Sequence, residues 1–96
     1  MNQRKIVWAP AALVDLKDIF DYISSDNSAA AKTFLKRIVE QIEKLACFPK
    51  MGSVIPEIGE LRYRQLVVGG YRIFHEIRRK EVFIFRVFHS KRLFKT

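Results

Sequence analysis

The spacing of the apolar residues changes near residue 60, and this change constrains the fold more than any other feature of the chain. Before it, apolar residues recur every three or four positions in two stretches, which predicts two amphipathic helices. The two faces comprise Leu13, Leu16, Ile19, Phe20 and Ile23, and then Ala31, Phe34, Leu35, Ile38, Ile42 and Leu45. Because only a short polar loop at residues 24–28 separates them, we expect an antiparallel helical hairpin.

After residue 60 the chain is rich in β-branched and aromatic residues, which favour strands. Residues 61–68, 71–78 and 82–89 predict three strands, with Gly69-Gly70 as the first turn. These strands are expected to form an antiparallel meander. Val-Phe-Ile-Phe, at the start of the third strand, is apolar at every position, which is typical of a central strand covered on both faces.

Residues 5–8 are also β-branched and aromatic and predict an N-terminal strand, whereas residues 49–60 contain two Pro and two Gly and predict a loop. The predicted fold class is therefore α+β: an N-terminal strand, an antiparallel helical hairpin and a three-stranded antiparallel meander, forming one twisted sheet. A length of 96 residues is enough for one domain, so we expect a single domain over residues 1–96.

The net charge of +8 comes entirely from the last part of the sequence. Residues 1–60 contain eight Lys/Arg and eight Asp/Glu, whereas residues 61–96 contain ten Lys/Arg and two Glu. We expect this charge to form a cationic surface on the sheet face that the helices leave partly uncovered, facing phosphate or an acidic protein. The candidate target- or phosphate-binding residues are Arg62, Arg64, Arg72, Arg86, Lys91 and Arg92.

Several classes of protein are disfavoured by the same sequence. Cys47 is the only cysteine, so no internal disulfide forms, and it is not at ligand spacing with His75 or His89. We therefore expect no metal site and no cofactor. No apolar segment approaches the roughly 18 residues of a membrane span. No signal peptide is recognisable, and a cytoplasmic location is expected.

A series of short motifs runs through nearly the whole chain. Its clearest members are Trp8-Ala9-Pro10-Ala11-Ala12, Gly70-Tyr71-Arg72-Ile73-Phe74 and Val87-Phe88-His89-Ser90-Lys91-Arg92. In this order the motifs resemble the RelE/ParE superfamily of bacterial toxins from type II toxin–antitoxin systems. The resemblance implies a toxin neutralised by an acidic cognate antitoxin, with operator DNA contacted only through the toxin–antitoxin complex and no membrane involved.

Two branches of this superfamily imply different targets. ParE-like members inhibit DNA gyrase, and the Ala-rich start of the second helix and the Tyr-Arg-Ile-Phe strand resemble this branch. There, Arg72, Arg92 and the C-terminal strand are the expected gyrase contacts. RelE-like members cut mRNA on the ribosome without a metal, and this activity is the alternative. A third interpretation is a non-toxic relative that binds only an antitoxin.

The RelE-like alternative assigns chemistry to individual residues. By resemblance, Arg72 and Arg92 hold the scissile phosphate, His89 acts as the acid and Glu57 falls near the base of one subgroup. Arg72 and His89 come from neighbouring predicted strands, so they can converge. The RelE-type C-terminal tyrosine and paired lysines have no counterpart here.

Each of these residues also has a purely structural interpretation. Arg72 has two interpretations. We favour an arginine that faces a cleft over a sheet residue paired with Glu76 or a helix carboxylate. His89 as a half-buried strand-end residue bonded to backbone is about as well supported as an acid. Glu57 is best explained as a loop carboxylate paired with an arginine.

Overall fold

The computed structural model describes residues 3–91, and two helices and five strands follow one another along them. The elements are β1 Lys5–Trp8, α1 Pro10–Ser24, α2 Ser28–Glu43, β2 Ser53–Val54, β3 Tyr63–Val68, β4 Tyr71–Ile77 and β5 Glu81–His89. A 3-10 turn, Lys44–Ala46, follows α2 directly. Arg92 lies outside the described residues.

The helical hairpin begins where local chemistry favours helix starts. Pro10 occupies the first turn of α1, where its missing N–H has no intrahelical partner to lose. At the start of α2, the Asn27 side-chain oxygen accepts a hydrogen bond from the backbone N–H of Ala30 at 3.0 Å. Within residues 3–91, neither helix is long and apolar enough to cross a membrane.

The sheet confirms the predicted fold class and adds one element to it. Its strand order is β1-β5-β4-β3-β2, with β1 parallel to β5 and the other neighbours antiparallel. The apolar run of β5 is central, between β1 and β4, as predicted. The prediction that residues 49–60 are entirely loop is wrong, because β2 pairs there with β3. Gly52 permits this close approach, since a Cβ at that position would lie 2.0 Å from the carbonyl oxygen of Gln65.

The two faces of the sheet are covered differently. The helices cover one face, where the largest fully buried side chains include Ile38, Ile42, Leu45, Ile73 and Ile84. The other face carries a second apolar cluster, formed by Ile55, Phe74 and Phe88 with Ile58, Tyr63 and Phe85 packed against it. The loop after β2 supplies Ile55 and Ile58, so it covers this face. The prediction of an open cationic surface here is wrong, because the second apolar cluster and the loop after β2 cover this face.

A β-bulge interrupts the pairing of β4 with β5. Phe74 lies opposite Arg86 and His75 lies opposite Ile84, so Phe85 is the extra residue. Beyond the bulge, Tyr71 pairs with His89 and Arg72 with Phe88. The bulge shifts the register by one residue. It therefore determines which side chains in the C-terminal half of β5 point to the same face of the sheet as a given side chain of β4.

Candidate functional site

Arg72 lies in the centre of the second apolar cluster and not in an open cleft. It is 8% exposed. Its Nη1 and Nη2 donate to Glu57 Oε2 and Oε1, each at 2.7 Å, and its Nε donates to Gln65 Oε1 at 2.8 Å. Its guanidinium carbon is 4.8 Å from the ring centroid of Phe74 and 5.7 Å from that of Phe88. All three guanidinium nitrogens are therefore engaged within the fold.

This geometry corrects the interpretation of Arg72 and confirms that of Glu57. The prediction that Arg72 faces a cleft is wrong. The alternative, that Arg72 pairs with Glu76 or a helix carboxylate, names the wrong partner. Glu57 is a loop carboxylate paired with an arginine, as predicted. The hydrogen bonds from Arg72 lower the pKa of Glu57 from 4.5 to about 2, and the same pair raises the pKa of Arg72. Both groups therefore stay charged throughout the physiological pH range.

His89 lies on the opposite face of the sheet from Arg72. Consecutive residues of a strand point to opposite faces, and Tyr71, the partner of His89, precedes Arg72. The His89 ring is 5.2 Å from that of Tyr71, which is 5.2 Å from Phe34 on α2. The predicted convergence of Arg72 and His89 is therefore wrong, because the register separates them.

A groove of about 470 Å³ opens beside His89 and carries acidic groups. Asp15 and Asp18 of α1 line it together with Tyr22, Tyr71 and His89. His89 Nδ1 accepts a hydrogen bond from the backbone N–H of Lys91 at 3.1 Å. His89 is exposed, not half-buried, and the α1 side of its groove carries carboxylates and not further cations.

Arg86 is held by a carboxylate of α1. Its Nε donates to Asp15 Oδ2 at 2.8 Å and its Nη2 to Oδ1 at 3.2 Å, and the pairing raises the pKa of Arg86. Asp15 Oδ2 also accepts from the backbone N–H of Val87 at 2.9 Å. This role of Asp15 was not predicted, and the only local signal for it is the position of Asp15 beside the apolar stripe of α1.

The remaining candidate cations do not join a common site. Arg62 lies 3.7 Å from Glu60 and 3.8 Å from Glu76, and Arg64 Nη2 donates to the carbonyl of Gly52 at 3.0 Å. Lys91 is exposed. Among residues 3–91, no group of three or more His, Cys, Asp or Glu side chains is placed to hold a metal ion. The predicted cationic focus is thus dispersed, and its two central arginines are neutralised by carboxylates from the first 60 residues.

An apolar groove on the outer side of the hairpin was not predicted. We call it the hairpin groove; it has a volume of about 290 Å³ and is lined by Leu13, Leu16, Phe20 and Leu35 beside Lys17. Leu13 is 52% exposed. The helical periodicity placed these leucines on the apolar faces of the two helices, but it does not reveal which part of an apolar face the rest of the fold leaves uncovered.

The comparison with protein families decides the classification. The family model described as "ParE toxin of type II toxin-antitoxin system, parDE" matches residues 6–94. The chain belongs to the ParE toxin family. This confirms the resemblance to the RelE/ParE superfamily and favours its ParE branch. A search of curated protein sequences finds no match to this ParE family member.

Two solved structures share the fold of this ParE family member. The chromosomal ParDE toxin–antitoxin system from P. aeruginosa aligns with a TM-score of 0.77 at 22% identity, covering 95% of this chain and 100% of the other. The RelBE2 toxin–antitoxin complex from Mycobacterium tuberculosis aligns with a TM-score of 0.64 at 23% identity, covering 91% and 98%. The fold therefore serves both branches, and the side chains must separate them.

Proposed function

We propose that this protein inhibits bacterial growth by binding DNA gyrase and does not cleave mRNA. The supporting observation is the position of Arg72 and His89. An RNA-cleaving site needs free cationic donors and a proton-transferring group around one phosphate. Here each of the three guanidinium nitrogens of Arg72 already donates to Glu57 or Gln65, and His89 is on the other face of the sheet. A protein that acts by binding needs no such convergence.

The purified protein is expected to inhibit gyrase-catalysed supercoiling of a relaxed plasmid and to leave mRNA intact on translating ribosomes. His89→Gln is the informative nuclease variant, because His89 is exposed and its replacement spares the core. Cleavage of mRNA by the wild type that His89→Gln abolishes, at an unchanged melting temperature, would overturn the proposal. So would supercoiling that proceeds normally in the presence of excess toxin.

We also infer that an acidic antitoxin docks an amphipathic helix in the hairpin groove. The groove presents the exposed Leu13 and half-buried apolar side chains between two helices, which is the kind of surface that such a helix recognises. Lys17, which pairs with Asp21 at 2.9 Å, borders it, and its continuation along α2 is lined by Lys32 and Lys36 together with Glu40 and Glu43. Both solved relatives come from toxin–antitoxin systems, which supports an antitoxin as a partner here.

Leu13→Asp is expected to weaken antitoxin binding by roughly 30-fold, measured by isothermal titration calorimetry. The change removes an apolar contact and places a negative charge against an acidic partner, a cost of about 2 kcal/mol. Leu61→Asp is the matched control, because Leu61 is 80% exposed and lies outside the helices. Equal affinity of both variants, at equal melting temperatures, would place the antitoxin elsewhere.

A further inference from the structure

We propose that a second groove, at the loop that follows α2, binds an acidic amphipathic segment of the toxin's cellular target. The proposal rests on the function proposed above, in which the protein acts by binding another protein. We call this site the loop groove; it has a volume of about 590 Å³ and is lined by Arg4, Phe48, Pro49, Lys50, Met51 and Ile77.

The loop groove offers an aromatic anchor. Phe48 is 66% exposed, although the apolar side chains beside it, Met51 and Ile77, are half-buried. Exposed aromatic side chains bordered by apolar surface are characteristic of the centres of protein–protein interfaces, where they contribute much of the binding energy. Phe48 makes no contribution to either apolar cluster of the fold.

The walls of the loop groove are fixed by hydrogen bonds. The Phe48 N–H donates to the Lys44 carbonyl at 2.9 Å, and the Met51 N–H donates to the Phe48 carbonyl at 3.0 Å. His75 is fully buried, and its Nε2 lies 2.9 Å from the Pro49 carbonyl. Because a carbonyl oxygen can only accept, Nε2 donates this bond, and burial lowers the pKa of the His75 ring. A preformed groove costs a partner little ordering free energy on binding.

The charge around the loop groove is positive and largely unpaired. Two backbone-directed hydrogen bonds bring the N-terminus to the β4–β5 turn: Arg4 Nε donates to the Arg78 carbonyl at 3.0 Å, and the Lys5 N–H donates to the Lys80 carbonyl at 3.0 Å. The nearby carboxylates, Glu76 and Glu81, are engaged by Arg78 at 2.9 and 3.8 Å. Of the cations that line the loop groove, Arg4 and Lys50 have no carboxylate within 4 Å among the described residues, and neither do Lys5, Arg79 and Lys80 at the N-terminal strand and the adjoining turn.

Together these features specify the occupant. An apolar floor with an exposed phenylalanine selects apolar side chains, and the cationic border selects carboxylates, so the complementary ligand is a segment that alternates the two. A nucleic-acid duplex, whose bases are already stacked on one another, would use the cations but would have little use for Phe48 and Met51. The loop groove shares no lining residue with the hairpin groove, so an antitoxin helix seated on the hairpin does not account for it.

The direct test uses a fluorescein-labelled synthetic 12-residue peptide with Glu at its polar positions and Leu and Phe at its apolar ones, titrated against the full chain by fluorescence anisotropy. Phe48→Ser is expected to weaken binding at least tenfold and Lys50→Glu several-fold, whereas Leu61→Ser leaves it unchanged. The same peptide with Lys in place of Glu should not bind. Equal affinity for wild type and Phe48→Ser, or tighter binding of a 20-base-pair DNA duplex that Phe48→Ser does not affect, would overturn the proposal.

A second measurement links the loop groove to the target. Phe48→Ser is expected to lose gyrase inhibition while keeping its affinity for the antitoxin. If the wild type inhibits gyrase and Phe48→Ser does so equally, the loop groove is not the target site although the proposed function holds. If the wild type does not inhibit gyrase, the proposed function fails, and the peptide titration alone decides whether the loop groove binds acidic segments.

Discussion

Glu57→Ala is expected to lower the free energy of unfolding by about 3 kcal/mol, measured by urea denaturation. The change leaves the buried guanidinium of Arg72 without its counter-charge, and breaking a buried pair from one side typically costs about 3–5 kcal/mol. The lower end applies because the Glu57 side chain is 29% exposed, so water can reach the pair.

Two further variants make this prediction specific. Glu60→Ala removes an exposed carboxylate 3.7 Å from Arg62, and a loss of less than about 0.5 kcal/mol is expected. The double variant Glu57→Ala/Arg72→Leu removes both charges and should recover most of the stability. A Glu57→Ala variant as stable as Glu60→Ala would contradict a structural role for the pair.

The same pair predicts how stability depends on pH. The pKa of Glu57 is about 2 in the folded protein and 4.5 ordinarily, so the unfolded chain binds the proton more readily. Its stabilising contribution is complete above pH 4.5 and is lost as the pH falls towards 2. His75 also makes the free energy of unfolding fall as the pH falls. Burial lowers its pKa below 6.5, so the unfolded state binds a proton at this histidine more readily than the folded state. Glu57→Gln should flatten the stability profile between pH 4.5 and 2.

Asp15→Ala is expected to lower the free energy of unfolding by about 2 kcal/mol, because it leaves the Val87 N–H and the Arg86 guanidinium without their acceptor. For a domain of this size the melting temperature should fall by roughly 10 °C. Amide hydrogen exchange at Val87 should accelerate as well.

Asp18 provides the control for this second prediction. It lies on the same helix, one turn further on, and is exposed. Asp18→Ala is expected to change the free energy of unfolding by less than about 0.5 kcal/mol. Equal melting temperatures for the two alanine variants would show that Asp15 does not anchor α1 to β5.

Local patterns predicted the elements better than the contacts between them. The N-terminal strand at residues 5–8 and the central position of the apolar run in β5 follow from residue type and spacing alone. β2 was missed because two residues have no periodicity. The partner of Arg72 was not predictable, since Glu57 lies 15 residues earlier in a loop whose path depends on the burial of Ile55.

The register of β4 and β5 limited the prediction of the site. Whether Arg72 and His89 share a face depends on which residue of β5 lies opposite each residue of β4. The extra residue Phe85 shifts this pairing, and no local pattern marks a bulge that lacks glycine. The strands were therefore predictable from the sequence. Which side chains share a face of the sheet was not, because that depends on how the strands pair in three dimensions.

The pairing of Asp15 with Val87 also bears on self-association. β1 pairs with β5 only as far as Ile84, so within residues 3–91 the last part of β5 has no neighbouring strand on that side. An uncovered strand edge is a template for pairing with the same edge of another molecule. Asp15 occupies the Val87 N–H, and its partner Arg86 adds a charged side chain at the same point. One helix carboxylate thus withholds this edge from other copies of the chain and limits aggregation.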